Sequence, residues 1–307
     1  QEGTLHPERI VVGSETYPYE LSRNWEMVER YPYLIGDFMW TAWDYLGEAG
    51  IGGWSYDEED RGFQKRYPWL LADTGAFDIL GNDNAEAGLA RAVWKPEAEP
   101  YLAVSPLNHP GVVPSRAIWR GSNAIPHWSY AGCDGNAAEA EVYSAAGEIE
   151  LFLNGKSVGR KKPEDHIAKF SLCYEPGELR AVAYRADGSE HSQTSLRSAA
   201  GRLEIRILPE RESVRCGDIL YLSIDLTGEN GEIECARDTR LRVSVEGGEL
   251  LAFGSANPKT AEDFLAGSYT TYYGRSQAVV RAGSGRLIVR VEGVGLEEAR
   301  CEIPVRE

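Results

Sequence analysis

The first 95 residues alternate between short apolar runs and segments with helical periodicity. Arg9–Val12 is rich in β-branched residues and predicts a buried strand. Leu21–Arg30 predicts a helix with Ser22 as a possible cap, and the aromatic-rich run Tyr33–Trp43 predicts a second strand. Asn84–Trp94 has an approximate apolar face and predicts a second helix. This order is typical of a parallel sheet, and two such units are too few to close a (β/α)₈ barrel.

The pattern changes after a proline-rich stretch, and period-two alternation of apolar and polar residues dominates from residue 138 onwards. Glu141–Ser144 is predicted to pair with Glu148–Leu153 across a short turn. Asn154-Gly155 is the signature of a two-residue hairpin, because both of its positions take positive φ. Turn signals recur at the spacing of β-sandwich domains to the end of the chain. The predicted domains are an α/β segment over 1–95 and two antiparallel sandwiches over 96–200 and 201–307.

Charge and composition narrow the possible partners. The chain has 32 Lys and Arg against 48 Asp and Glu, a net charge of −16 that disfavours nucleic acid and acidic polysaccharides. No apolar run is long enough to cross a bilayer, so no membrane association is expected. Five cysteines and five histidines occur without zinc-ligand spacing, so neither a metal site nor a cofactor is predicted.

The candidate chemistry lies at the ends of the two predicted strands of the α/β segment. Glu15 follows the first strand, and Trp40 and Trp43 lie near the end of the second. A carboxylate at the carboxyl end of a parallel strand lies at the edge of a sheet where barrel active sites are found. Retaining glycosidases use two carboxylates about 5 Å apart, and a tryptophan ring offers a flat apolar face to a sugar.

Several segments, in the same order along the chain, resemble one family. Ser14–Tyr17 and Phe38–Glu48 resemble barrel strands seven and eight of bacterial β-galactosidases of glycoside hydrolase family 2. Glu150–Arg160 is similar to a strand pair of the immunoglobulin-like domain that follows that barrel. Asp225–Gly231 and Tyr273-Gly274-Arg275 resemble a further immunoglobulin-like domain of the same enzymes.

The resemblance implies a mainly β chain: two immunoglobulin-like sandwiches preceded by the last two β/α units of an incomplete (β/α)₈ barrel. It implies part of a retaining exo-β-glycosidase, and it favours a β-galactosidase with a carbohydrate substrate and no cofactor. Glu15 is the expected nucleophile, and Trp40, Trp43, Asp44 and Tyr17 are the expected substrate-binding residues. The acid/base residue of these enzymes belongs to strand four, which has no counterpart here, so the isolated chain is expected to be inactive.

Other interpretations of these residues remain open. Glu15 could simply be an exposed carboxylate that ends a strand, and Trp40 could pack inside a barrel. Asp44 could cap a loop or pair with an arginine. Asp37 is expected to make a structural hydrogen bond. Glu48 is a possible second carboxylate, although it lies several residues beyond the strand.

Other interpretations of the whole chain also remain. Trp119 and Trp128 could form a carbohydrate platform, although packing under a proline-rich loop is favoured. The rival function is a non-catalytic module that binds carbohydrate or mediates assembly, and the sugar could instead be a β-glucuronide or a β-mannoside. Homo-oligomerisation is possible, and the compartment is open between the bacterial cytoplasm and a secreted or periplasmic location.

Overall fold

In a computed structural model the chain is mainly β and forms two compact units. The first unit runs to Trp128 and resumes over Gly135–Leu196, and the second comprises Ser129–Asp134 and the chain from Arg197. The structure describes residues 5–57, 60, 62–115 and 118–306.

The first unit begins with the predicted strand–helix–strand–helix order. The elements are β1 (Val11–Thr16), α1 (Leu21–Arg30), β2 (Leu34–Met39) and α2 (Ala85–Trp94). β1 and β2 pair in parallel, as predicted. β2 is shorter than the predicted run Tyr33–Trp43, because the chain leaves the sheet after Met39 and enters a long connection to α2.

The predicted cap of α1 is wrong. The residue at the N-cap position is Glu20, and Ser22 lies inside the first turn. The Ser22 side chain is buried, and its hydroxyl donates to the carbonyl oxygen of Asp165 at 2.9 Å. A hydroxyl with this tertiary acceptor stabilises the packing of α1 within the unit, which a local capping pattern does not reveal.

The rest of the first unit contains two sheets. The first has the order β3 (Tyr101–Val104), β4 (Ala137–Tyr143) and β7 (Ile167–Cys173), and the second has the order β6 (Lys156–Lys161), β5 (Glu148–Leu153), β8 (Glu178–Tyr184) and β9 (Glu190–Arg197). The predicted pairing of β4 with β5 is wrong, because the chain crosses from one sheet to the other between them. Alternating apolar positions are buried in both strands, so periodicity alone cannot distinguish a hairpin from a crossing between sheets.

The hairpin predicted at Asn154-Gly155 is confirmed. Leu153 of β5 is paired with Lys156 of β6, and the two turn residues have φ values of 49° and 79°. The Asn154 side chain also accepts from the backbone N–H of Glu178 at 2.9 Å. This turn therefore fixes both the β5–β6 register and the start of β8.

The second unit contains a four-stranded and a five-stranded sheet around one apolar core. The core includes buried residues from both sheets, among them Leu222, Ile224, Val280, Val289 and Val291. The four-stranded sheet has the order β10 (Glu204–Pro209), β12 (Ile219–Thr227), β16 (Arg275–Ala282) and β14 (Gly248–Gly254). The five-stranded sheet has the order β11 (Val214–Arg215), β18 (Ala299–Arg306), β17 (Arg286–Gly293), β13 (Arg240–Glu246) and β15 (Ser268–Thr270). The pairings are antiparallel as predicted, except that the short β11 pairs with β18 in parallel.

The predicted division into three domains stays a prediction. The boundary expected near residue 95 falls inside the first unit, and the one expected near residue 200 lies close to Leu196. Neither helix in the described part of the chain is both long and apolar enough to cross a membrane.

Candidate active site

The carboxyl ends of β1 and β2 bring Glu15 and Trp40 to the same edge of the sheet. Thr16 is paired with Met39, and the backbone N–H of Trp40 donates to the Thr16 carbonyl at 3.0 Å. Glu15 is exposed, and the Trp40 side chain retains 36% exposure. A carboxylate and a flat aromatic surface are therefore both accessible at this edge.

Asp37 connects the elements that carry this edge. Its carboxylate accepts from the Thr16 hydroxyl at 3.0 Å and from the Asn24 side-chain amide at 3.2 Å, which joins β2 to β1 and α1. A Cβ at Gly13 would lie 2.2 Å from the Asp37 Oδ1 atom, so glycine at this position lets the carboxylate approach without being displaced. The hydrogen bonds confirm the structural role expected for Asp37.

Trp40 belongs to a short hydrogen-bonded chain. Its indole N–H donates to the Tyr45 hydroxyl at 3.3 Å, and that hydroxyl donates to the Glu48 carboxylate. The Trp40 and Tyr45 rings meet edge to face, with centroids 5.9 Å apart. The Tyr45 hydroxyl therefore bridges the Trp40 indole and the Glu48 carboxylate.

Trp43 is exposed on one side and supported on the other. The ring retains 55% exposure, and its indole N–H donates to the carbonyl of Ile79 at 3.3 Å. A Cβ at Gly81 would come within 2.8 Å of the indole, and Phe77 packs beside it at 5.9 Å. The far end of the β2–α2 connection thus supports this ring and leaves part of it accessible.

Asp44 is buried beside these exposed tryptophans. The residue is 6% exposed, and its carboxylate accepts from the backbone N–H of Thr74 at 3.1 Å. Burial, together with the neighbouring Asp73 carboxylate, raises the pKa of Asp44 from 3.8 to about 7. The hydrogen bond to Thr74 gives Asp44 a role inside the β2–α2 connection, while its expected role in binding substrate stays a prediction.

Arg120 anchors a second group of carboxylates, of which Glu86 is buried and Asp73 is half-buried. Its guanidinium contacts Asp73 at 2.6 Å and lies 3.7 Å from Glu86. Glu86 also accepts from the backbone N–H groups of Gly121 and Ser122. Burial raises the pKa of both Asp73 and Glu86, while Arg120 acts in the opposite direction. The segment after β3 is thereby tied to α2 and to the β2–α2 connection.

Tyr17 lies two residues after Glu15 and packs against that segment. Its ring stacks on Tyr19 with centroids 5.3 Å apart and contacts Trp119 at 4.6 Å. The Trp119 carbonyl accepts from the Thr74 hydroxyl at 3.4 Å. Trp128 is fully buried and donates to the carbonyl of Glu175, so it does not form a carbohydrate platform.

The sequence predicts that Glu15 and Trp40 lie at one edge of the sheet, but it does not predict the side chains that pack and hydrogen-bond around them. The structure adds Tyr45, the Arg120 network and the contact of Trp119 with Tyr17. These groups lie on segments without regular periodicity, and the pairing of Arg120 with Asp73 spans 47 positions. Among the described residues, no group of three or more His, Cys, Asp or Glu is arranged to hold a metal ion.

Two protein families match parts of the chain. Residues 135–192 match a domain of unknown function, DUF4982, and residues 205–302 match the family described as glycoside hydrolase family 2 C-terminal domain 5. The first match covers most of the two-sheet part of the first unit, and the second covers most of the second unit.

Individual proteins that are similar to this chain carry glycosidase names, in agreement with the second family match. A glycosyl hydrolase family 2 member from Bacteroides cellulosilyticus has a structure with a TM-score of 0.88 and 30% identity, over 100% of this chain and 40% of its own. The curated β-galactosidase BoGH2A of Bacteroides ovatus is 24% identical over 292 residues, which are 92% of this chain and 30% of that protein. A curated Formosa agariphila protein, whose name refers to β-glucuronidase, is 25% identical over 273 residues, 84% of this chain and 22% of its own length. The chain thus spans less than a third of the curated relatives that it matches.

Proposed function

We propose that this chain, which belongs to the C-terminal region of glycoside hydrolase family 2 proteins, is part of a retaining exo-β-glycosidase with Glu15 as its nucleophile. The observation that carries the proposal is the common edge at which the parallel strands β1 and β2 present Glu15 and Trp40. In this proposal β1, α1, β2 and α2 are the last two units of a (β/α)₈ barrel. The two predicted sandwiches, 96–200 and 201–307, follow it.

Exposed apolar side chains on the two-stranded sheet support the barrel assignment. Ile35 and Phe38 of β2 retain 65% and 66% exposure, which is high for large apolar residues on a strand. Among the described residues, this sheet has two strands, which leaves one edge of each strand without a β partner. Pairing with further barrel strands would bury these side chains and satisfy the free edges.

The proposed chemistry proceeds by double displacement. The Glu15 carboxylate attacks the anomeric carbon, and the bond from that carbon to the glycosidic oxygen breaks as an acid elsewhere in the enzyme protonates the leaving oxygen. Water, which gives up a proton to the same acid/base residue now acting as a base, then attacks the anomeric carbon, and the bond from that carbon to the Glu15 oxygen breaks and releases Glu15 in its ionised form. The acid/base residue lies outside this chain in the proposal, so Glu15 supplies one of the two carboxylates.

The side chains around Glu15 would form one wall of the sugar site. Trp40 and Trp43 offer exposed ring surface to the C–H side of a sugar, and Tyr17 follows the nucleophile by two positions. Asp44 would act mainly by ordering the connection that carries these rings, through its bond to Thr74.

The favoured substrate class is a terminal β-galactoside. The similarity to BoGH2A supports it, and the acidic chain suits a neutral sugar. The alternatives are a β-glucuronide, favoured by the similarity to the Formosa agariphila protein, or a β-mannoside. A panel of nitrophenyl β-galactoside, β-glucuronide and β-mannoside, assayed with a longer protein that contains this chain, separates the three.

The same preparation tests the enzyme proposal against a non-catalytic binding module. Replacing Glu15 by Gln keeps the side-chain shape and removes the attacking charge, so turnover should fall by several orders of magnitude. Glu26→Gln, at an exposed position of α1, is the matched control and should leave turnover unchanged. Equal activity of both variants would remove Glu15 from the mechanism, and no hydrolysis of any sugar by the unmodified protein would favour the binding module.

A further inference from the structure

In the part of the chain that the structure describes, hydrogen bonds connect one acidic side chain, Glu48, to the exposed Trp40 ring at the β1–β2 edge. The sequence makes Glu48 a candidate second carboxylate. In the structure its carboxylate accepts a hydrogen bond from the Tyr45 hydroxyl, and that hydroxyl accepts one from the Trp40 indole N–H. All three residues lie in the connection that leaves β2, within nine positions of one another. This geometry is compatible with two roles for Glu48: proton transfer, or orientation of Tyr45 and Trp40.

The direction of the hydrogen bonds favours orientation. The Trp40 indole nitrogen can only donate, and the Glu48 carboxylate can only accept when ionised. The Tyr45 hydroxyl lies between them and satisfies both, so its proton points towards Glu48 and its oxygen lone pair faces Trp40. Desolvation is the larger cause and the hydrogen bond to Glu48 the second, and they raise the pKa of Tyr45 to about 12. The hydroxyl therefore stays protonated over the ordinary pH range.

The backbone places Glu48 where this bond can form. Gly47 and Glu48 both have positive φ, at 103° and 44°, which turns the chain sharply after Leu46. The next turn is fixed by the Gly50 N–H, which donates to the carbonyl of Leu71 at 2.8 Å. A non-glycine residue in the left-handed region is uncommon, and here it brings the carboxylate back to Tyr45.

We propose that Tyr45 and Glu48 are positioning residues: Glu48 orients the Tyr45 hydroxyl, and Tyr45 holds the Trp40 ring in the orientation in which it meets the sugar. The sugar-facing part rests on the proposed function, whereas the orientation of Trp40 does not. The ring is 36% exposed, and its hydrogen bond to the Tyr45 hydroxyl and its edge-to-face contact with the Tyr45 ring both have a defined direction, so they favour one orientation of the indole. Glu48 thus serves the site without exchanging a proton with the substrate.

The orientation can be measured on the 307-residue chain without any assay of activity. Each of the eight tryptophans gives one indole N–H resonance in an ¹H–¹⁵N NMR spectrum, and Trp40→Phe identifies the resonance of Trp40. Tyr45→Phe removes the acceptor, so the Trp40 resonance should move upfield while that of Trp128, bonded to Glu175, stays in place and shows that the unit is folded. Tyr67→Phe, at an exposed position of the same connection, is the matched control and should leave Trp40 unchanged. A Trp40 resonance that does not respond to Tyr45→Phe would overturn the proposal.

The second measurement uses a longer protein that contains this chain and hydrolyses a nitrophenyl glycoside. Glu48→Ala and Tyr45→Phe should lower kcat/KM by similar factors, about tenfold for a hydrogen bond worth ~1.4 kcal/mol, while Glu48→Gln, which keeps an acceptor, loses less. Azide replaces a missing acid/base carboxylate in retaining enzymes by attacking the glycosyl ester and giving a glycosyl azide. No azide rescue of Glu48→Ala is expected. Rescue with formation of the glycosyl azide would make Glu48 the acid/base residue and contradict the proposal. Absence of hydrolysis by the unmodified protein would count against the proposed function and leave the NMR result standing.

Discussion

The buried Asp44 predicts a specific pH dependence for the stability of the first unit. Its pKa of about 7 in the folded chain compares with 3.8 when exposed, so the folded state holds a proton that the unfolded state has released. The contribution of Asp44 to the stability of the unit is therefore highest below the unfolded pKa, falls as the pH rises from about 4 to 7, and stays low above that range. Asp44→Asn removes this titration and can keep the acceptor for the Thr74 N–H.

The size of the effect follows from the two pKa values. A shift of roughly three pKa units corresponds to about 4 kcal/mol when Asp44 is fully ionised, since each unit is worth ~1.4 kcal/mol. At pH 4.5 only about 1 kcal/mol of this cost applies, so the stability of Asp44→Asn relative to the unmodified chain should rise by about 3 kcal/mol between pH 4.5 and 8. Any pH-independent cost of the buried amide cancels in this difference.

Tryptophan fluorescence during urea unfolding is a suitable assay. All eight tryptophans lie at or before Trp128, so the signal reports the first unit alone. Asp187→Asn is the control, because that carboxyl is exposed and the bonds from Ser189 lower its pKa, the opposite direction from that of Asp44. An Asp44→Asn difference that is the same at pH 4.5 and 8 would refute the reasoning.

Three further predictions concern the hairpin, the arginine anchor and the isolated chain. Gly155→Val should destabilise the first unit by about 1–2 kcal/mol in urea unfolding, because a Cβ at Gly155 meets no neighbour and the cost is that of positive φ alone. Gly155→Asn should cost less, and equal unfolding midpoints for Gly155→Val and the unmodified chain would exclude this turn type. Arg120→Met should lower the free energy of unfolding by about 3–5 kcal/mol at pH 8 and by less at pH 5, because Asp73 and Glu86 lose their cation and can take up protons at the lower pH. An equal loss of stability at both pH values would contradict this origin. The purified 307-residue chain should not hydrolyse nitrophenyl β-galactoside over hours, and turnover that disappears in Glu15→Gln would show that a second catalytic carboxylate lies within it.

The sequence predicts elements whose physics is local. α1 begins and ends where its periodicity does, and the Asn154-Gly155 turn forms because two adjacent residues tolerate positive φ. The β4–β5 pairing fails because both strands bury alternate residues whether or not they pair with each other. Periodicity describes the buried face of a strand, and the choice of neighbouring strand depends on the path of the intervening chain.

The candidate site also contains residues whose placement the sequence predicts and residues whose placement it does not. Glu15 and Trp40 could be placed at one edge because parallel strands carry their carboxyl ends in the same direction. The burial of Asp44 could not be predicted, since it depends on Thr74 and Asp73 in a connection without regular secondary structure. The partners of Arg120 could not be predicted either, because an arginine in a proline-rich stretch does not reveal which carboxylates it will pair with.

The most direct test of the central claim is covalent labelling of the nucleophile. A 2-fluoro-β-galactosyl fluoride forms a glycosyl ester on the attacking carboxylate, and its fluorine slows the hydrolysis of that ester enough for peptide mapping. With a longer protein that contains this chain and hydrolyses β-galactosides, we predict one added fluorosugar mass, on the peptide that carries Glu15 and on that residue itself. A label on any other carboxylate, Glu48 included, would contradict the assignment of Glu15 as the nucleophile.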